Sequence, residues 1–261
     1  MGEGGPAHRV SHLPAEVRPV VAGLAAGAKD ALGQGFVGMY LYGSLATGDF
    51  DLEKSDLDFL VVTDRPLDEA SLEPLRALHE QIEAEHPFWA TYNKVEGNYA
   101  HRGAVHRFDP ADSTFGYFCA GDGLSLRPHD RDVVIHLYVV RERRVVVAGP
   151  DPRELIDPIG ADDLRVAVRE GLRDWYRPML DQPAPPLGAY AVLTLCRMLY
   201  TLETGEIATK PGAADWALRT LPGRWHELVR RALAWRRDTP STVRAAEVRP
   251  FLRFVLGRAG T

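Results

Sequence analysis

Two acids one residue apart, Asp56 and Asp58, stand at the head of an apolar run, Leu57–Val62, in the stretch LYGSLATGDFDLEKSDLDFLVV. Few features constrain a chain more. Side chains two apart on a strand point to the same face, so the two carboxylates project together while Leu57 and Phe59 turn the other way. Like charges held side by side repel unless a cation lies between them. Hard oxygen donors of this kind suit Mg²⁺ carrying a nucleoside triphosphate. Twelve residues upstream of Asp56, Gly43-Ser44 ends a preceding strand around 37–42. Glycine permits a close turn there, and the serine hydroxyl and following amides are placed to meet phosphate oxygens.

The rest of the chain divides at about residue 158. Before it, strand and helix patterns alternate: a helix over 13–33, the two strands just described, and a helix over 68–85. A third strand is expected over 88–100, with Glu96 near its centre. There Glu96 is either a solvent acid on an edge strand or the third carboxylate beside Asp56 and Asp58. Residues 101–131, rich in His, Gly, Asp and Pro, read as loops, with His101, His106 and His129 as surface side chains. Asp132 then opens a strand over 133–140 by its β-branched content, and 145–148 pairs back on it. The proline-punctuated segment 151–163 marks a boundary. Beyond it only helices are expected, over 162–179, 189–203, 213–221, 224–237 and 241–257, with a rigid QPAPPLG connector and Lys210 in a short loop. The expectation is an α/β amino-terminal domain over 1–158, with a mixed twisted sheet and flanking helices. An all-α bundle follows over 159–261.

Charge follows the same division. Residues 161–261 carry 16 Lys/Arg against 11 Asp/Glu, leaving 15 against 25 for residues 1–160. That asymmetry fits metal in one half and polyphosphate in the other, and equally fits solvated Arg-rich helix faces. No concentrated basic stripe marks a nucleic-acid surface. No apolar run long enough to span a membrane appears, and the start has no secretory h-region. With two cysteines, Cys119 and Cys196, reduced thiols in a cytoplasmic protein are expected. Within the apolar 189–203 helix, Arg197 stands out, because a desolvated guanidinium requires an acid or a polyanion.

Taken together, GSLATGDFDLEKSDLD resembles the G-S…D-x-D signature of polymerase-β-like nucleotidyltransferases. The stretch VLTLCRMLYTLETGEIATKPGAADWALRTLP resembles the helical domain of the aminoglycoside 3″/9 adenylyltransferases. The resemblance implies Asp56 and Asp58 as ligands of one or two Mg²⁺ ions. Glu96 becomes the catalytic base and a further metal ligand. Gly43, Ser44, Ser55, Asp132, Arg197 and Lys210 become contacts to ATP, and Trp175 lines the acceptor site. Asp181 is the one acid on a connector where the family places acids against a cationic antibiotic, and Leu187 and Tyr190 stand near positions expected to be polar. Trp235 falls beside a family aromatic near the nucleotide. The implied activity moves AMP from ATP, bound between the two domains, to a hydroxyl of a small molecule, first an aminoglycoside or aminocyclitol, by a monomer. Transfer of AMP to a protein hydroxyl and nucleotide binding without turnover are the alternatives.

Overall fold

The structure is a computed structural model, described over residues 8–9, 12–236 and 241–260. The first seven residues and Arg237, on which two of the expectations above fall, lie outside that range. The chain separates into two compact units, residues 1–158 and 159–261.

The first unit is built on one mixed seven-stranded sheet. Its strands are β1 (His8–Arg9), β2 (Phe36–Leu41), β3 (Leu57–Thr63), β4 (Val95–His101), β5 (Thr114–Cys119), β6 (Gly123–Pro128) and β7 (Val145–Ala148), in the spatial order β1-β7-β2-β3-β4-β5-β6. β3 and β4 run parallel, joined through helix α3 (Glu69–Glu85); β2–β3, β4–β5 and β5–β6 are antiparallel. Alternation along the central strands sends Met39, Leu41, Leu57, Phe59, Val61, Val95 and Tyr99 to one face. Helix α1 (Arg18–Leu32) and α3 cover that face with Val20, Val21, Leu24, Leu72, Leu75 and Ile82. Asp68 caps α3 by accepting from the Ser71 amide at 2.9 Å, and Pro74 is tolerated inside it. Gly97 is required by packing, since a Cβ there would lie 2.3 Å from the Phe59 ring.

Four expectations are corrected in this unit. His101 and His129 are not surface side chains: His101 is buried with its Nε2 at 3.1 Å from Asp112 Oδ1, and His129 is half-buried. Residues 133–140 do not form a strand: Val133–Arg143 is helix α5. Val133, Val134, Leu137 and Val140 fall at helical spacing and are buried, and Arg144, left-handed at φ 52°, ends the helix, so packing of that stripe overrides β-branched propensity. β7 therefore pairs with β1 and β2, not with 133–140. Residues 101–131 are not mainly loops. Besides the short helices α2 (Gly43–Thr47) and α4 (Arg102–His106), the unit contains the β5–β6 hairpin, closed by Ala120-Gly121-Asp122 with Gly121 and Gly123 at positive φ.

The second unit is helical: α6 (Ala161–Gly171), α7 (Ala189–Thr204), α8 (Lys210–Thr220), α9 (His226–Arg236) and α10 (Ala245–Ala259). α7 is the central helix and packs against the other four. Val192, Leu193, Leu195, Cys196 and Leu199 are buried, and Gly205 at φ 72° closes the helix. The helix expected over 162–179 is interrupted after Gly171 by a π turn (Leu172–Tyr176) and a 3₁₀ turn (Arg177–Leu180). Pro178 has no amide to donate to an α-helical ladder, which accounts for the tightening there. No helix among the described residues is long and apolar enough to cross a membrane.

Candidate active site

On the sheet face turned away from α1 and α3, the start of β3 meets the start of β4. β3 begins at Leu57, so Asp58 lies on the strand and Asp56 ends the turn before it. Glu96 is the second residue of β4 rather than its centre, and it is the direct register partner of Asp58 in the parallel ladder. Paired residues of such a ladder project to one side, which puts the two carboxylates next to each other. The Tyr42 amide donates to the Asp58 carbonyl at 3.1 Å, and Gly43 follows with φ +60°. A Cβ on Gly43 would sit 1.8 Å from Asp58 Oδ2. The turn thus presses bare backbone against a carboxylate. In the next residue the Ser44 hydroxyl is buried without a hydrogen-bond partner.

The neighbouring side chains register the negative charge. Burial, and then the charges of Asp58 and Glu96, push the Tyr42 phenol well above its ordinary range. The Tyr117 phenol is raised by burial and next by Glu96, through charge and a hydrogen bond that favours the protonated phenol. Burial and Glu96 likewise raise the Cys119 thiol. Asn98 Nδ2 donates to the Tyr42 hydroxyl at 3.3 Å, while its Oδ1 is buried and unpaired. His136 of α5 stacks on Tyr42 at 4.7 Å, with Nδ1 buried and unpaired. One helical turn before His136, Asp132 heads α5, and its charge opposes the lowering that burial imposes on His129. Ser55 is buried, and its hydroxyl accepts from the Asp51 amide at 3.0 Å, which closes the turn before Asp56.

Among the described residues no three His, Cys, Asp or Glu side chains converge as a ready-made metal cage. Mg²⁺ is usually held by one or two carboxylates together with substrate phosphates and water, and Asp58 with Glu96 is a pair of that kind. The adjacent oxygen donors of Asp58 and Glu96, with Asp56 two residues away, are of the right chemistry.

In the second unit, Tyr190, Thr194 and Arg197 lie at i, i+4 and i+7 on one face of α7. Arg197 is half-buried rather than fully buried, so its desolvation is smaller than an all-apolar helix implies. Among the described residues it makes no ion pair. Its charge lies near Tyr176, whose phenol burial pushes up to about 12. Lys210 is not in a loop: it opens α8, behind Thr209, whose hydroxyl accepts from the Gly212 amide at 3.0 Å. A cation at a helix N-terminus opposes the helix dipole, so two positive sources add at that end. The Lys210 ammonium stands 4.3 Å from the Tyr190 ring centroid. The Thr194 hydroxyl is buried and unpaired. Trp175, on the π turn, and Tyr190 are exposed, as is Asp181; Leu187 is buried and Trp235 half-buried. The Arg249 guanidinium ties the connector after Asp181 by donating to the carbonyls of Leu180 at 2.6 Å, Pro183 at 3.3 Å and Gln182.

Two family models match the chain: a nucleotidyltransferase domain over residues 28–102, and the aminoglycoside adenylyltransferase C-terminal domain over 154–258. The chain joins these two domains. Among curated relatives, an aminoglycoside (3″)(9) adenylyltransferase of Rhizobium radiobacter is 35% identical over 49% of this chain and 48% of its own length. A spectinomycin 9-adenylyltransferase of Staphylococcus aureus is 29% identical over 74% of this chain and 75% of its own. The match to the first of these spans about half the relative's length. A spectinomycin adenyltransferase from Enterococcus faecialis, solved with ATP and spectinomycin, shares the fold with a TM-score of 0.74 over 93% of this chain and 99% of its own, at 21% identity. The nucleotidyltransferase match takes in β2, β3, β4 and both connections that deliver Asp56, Asp58 and Glu96. Among the described residues, the adenylyltransferase match takes in the helices of the second unit up to Arg258.

The acids and the glycine turn stand out in the sequence; the register that pairs Asp58 with Glu96, and several neighbouring side chains, do not. Tyr42 directly precedes Gly43, and Asn98 follows Glu96 by two, so alternation alone could have placed both on the site face. His136 was hidden by reading α5 as a strand. Tyr117 was hidden by reading the hairpin as loop.

Proposed function

We propose that this protein is a Mg²⁺-dependent O-adenylyltransferase that moves AMP from ATP to a hydroxyl of a small cationic, hydroxylated acceptor of the aminoglycoside or aminocyclitol class. The observation that carries this reading is the pairing of Asp58 with Glu96 beside the Gly43-Ser44 turn, whose serine hydroxyl is buried and unpaired. A buried donor left unsatisfied is costly, and a phosphate oxygen supplies its missing partner.

Asp56, Asp58 and Glu96 offer the oxygen donors for one or two Mg²⁺ ions, which when bound neutralise charge on the triphosphate. Glu96 takes the proton from the acceptor hydroxyl as that oxygen attacks the α-phosphorus. The bond from that phosphorus to the bridging oxygen breaks, and pyrophosphate leaves with the electron pair. Arg197 grips the leaving group with its planar fork, and Lys210 holds it as a point charge, helped by the α8 N-terminus. Ser44 and Ser55 hold phosphate oxygens, and Asp132 touches the nucleotide. Trp175 offers a flat exposed surface to the acceptor, with Asp181 supplying one negative charge.

The test is incubation with α-labelled ATP, Mg²⁺ and a panel containing spectinomycin, streptomycin and other aminoglycosides. Label on an antibiotic with stoichiometric pyrophosphate release is the expected result. Label on protein alone would move the acceptor to a protein hydroxyl. ATP binding without any transfer, unchanged in Glu96→Gln, would leave a nucleotide-binding regulator.

A further inference from the structure

Among the side chains that no step above uses, Lys94 is held in an unusual way. Its ammonium donates to the carbonyls of Leu52 at 3.0 Å, Glu53 at 2.8 Å and Ser55 at 3.2 Å, which accounts for all three of its protons. Its stem carries the charge to 5.2 Å from the Phe88 ring centroid. Among the described residues it makes no ion pair. Its positive charge is therefore taken up by peptide oxygens.

The three carbonyls belong to the turn that ends at Asp56. Asp51 builds that turn: its Oδ1 accepts from the amides of Glu53 and Lys54, and its own amide donates to the Ser55 hydroxyl. With the inside of the turn satisfied in this way, the carbonyls of residues 52, 53 and 55 point outward as a ring of acceptors. Ser55 O belongs to the peptide bond that leads into Asp56. On the other side, Lys94 stands two residues before Glu96, and its own carbonyl accepts from the Leu57 amide at 2.8 Å. Asn93, left-handed at φ 63° with its amide on Ala120 O at 3.0 Å, turns the chain so that Lys94 reaches across. One residue thus ties the approach to Asp56 and Asp58 to the approach to Glu96, through both its main chain and its side chain.

We infer that Lys94 is a positioning residue that sets the Asp56-bearing turn in register with the Asp58–Glu96 pair, so that the acids receive a divalent cation in one geometry. This rests on the adenylyl-transfer reading above. Loosening the turn moves Asp56, and Ser55 with it, while the strand pair stays, so the effect falls first on metal affinity and turnover.

The experiment compares the full-length protein with Lys94→Met, which keeps the stem over Phe88 and removes all three donors. Mn²⁺ binding is titrated by electron paramagnetic resonance in the presence of a non-hydrolysable ATP analogue. In parallel, AMP transfer is measured as a function of Mg²⁺. Expected for Lys94→Met are a Mn²⁺ dissociation constant and a Mg²⁺ half-activation concentration each raised at least about tenfold, from a loss on the order of one charged hydrogen-bond set. The KM for ATP at saturating Mg²⁺ should change less than the Mg²⁺ half-activation concentration, since Ser55 is the one nucleotide contact on the loosened turn. Lys94→Arg keeps the charge but brings a flat fork to a ring of three carbonyls; it is read the same way and secures the result where Lys94→Met does not fold. A lowered melting temperature with wild-type metal affinity in the folded variant would overturn the assignment and leave Lys94 merely structural. Absence of AMP transfer in the wild-type protein would instead defeat the adenylyl-transfer reading, while the Mn²⁺ titration still judges Lys94.

Discussion

The two faces of the central sheet are made by the same three strands and behave as opposites. On one face Leu57, Phe59, Val61, Val95 and Tyr99 are buried under two amphipathic helices. His79, in that layer, is stacked on Phe118 at 3.5 Å and bonded through Nε2 to the Tyr99 hydroxyl, with its Nδ1 the atom left without a partner. On the other face the alternate residues, Asp58, Glu96, Asn98 and Tyr117, gather charge and polarity. Buried polar atoms without partners collect there too, on Ser44, Asn98, His129 and His136. Folding alone does not select such a face, because every unpaired buried group subtracts from stability. The contrast separates residues that hold the sheet from residues that the sheet holds in place for a ligand.

Substitution at neighbouring ladder positions should split the two roles most widely. Glu96→Gln removes a proton acceptor and a negative charge and keeps the shape. Turnover should fall by about 10²–10⁴-fold, the range for losing a general base, with the urea midpoint little changed. Phe59→Ala, one register step further along the same strand pair, should do the reverse. It should cost roughly 3–5 kcal/mol in urea denaturation while the molecules that remain folded keep their turnover. A large stability loss in Glu96→Gln, or a turnover loss per folded molecule in Phe59→Ala, would collapse the distinction between the faces.

Gly43→Ala probes the boundary between them. A methyl group there meets Asp58 Oδ2, and the φ of +60° adds about 1–2 kcal/mol of backbone cost for an L-residue. Asp58 Oδ2 must give way by more than an ångström, and displacements of about 1 Å at a reacting centre cost about 100-fold in rate. The measurement is kcat and the Mg²⁺ requirement beside a thermal melt. Wild-type kcat would mean that the Gly43 turn is a folding feature only.

How far each face could be read in advance follows from what carries the information. The apolar face is written in alternation, a local signal that survives whatever packs on top, whereas the pairing of Asp58 with Glu96 depends on the register of β3 against β4. The helix stop at Gly205 was equally local. What escaped reading depends on tertiary context. VVIHLYVV has five β-branched residues in eight, a strand-like composition, yet it is a helix because its buried stripe at 133, 134, 137 and 140 has a surface to pack on. Lys94 shows the same limit: no spacing announces an ammonium whose partners are main-chain carbonyls some forty residues away. Arg197 is instructive in the other direction. Its neighbours in sequence are apolar, but its position on α7 brings it only half into the interior.

The smallest expected effect belongs to the sealed face and tests how well sealed it is. Burial lowers the His79 imidazole from about 6.5 to about 3, so the folded protein keeps it neutral while the unfolded chain takes up a proton below pH ~6.5. Its contribution is therefore complete above the unfolded value and is lost as pH falls toward the folded one, at up to about 1.4 kcal/mol per pH unit. His79→Gln retains an amide for the Tyr99 hydroxyl and does not titrate. Between pH 7 and pH 5.5 the wild-type protein should lose about 1 kcal/mol more in urea denaturation than His79→Gln. Equal losses in the two proteins would mean that water or a proton reaches the imidazole between α3 and β5. The apolar face would then be no more closed than the face that carries the acids.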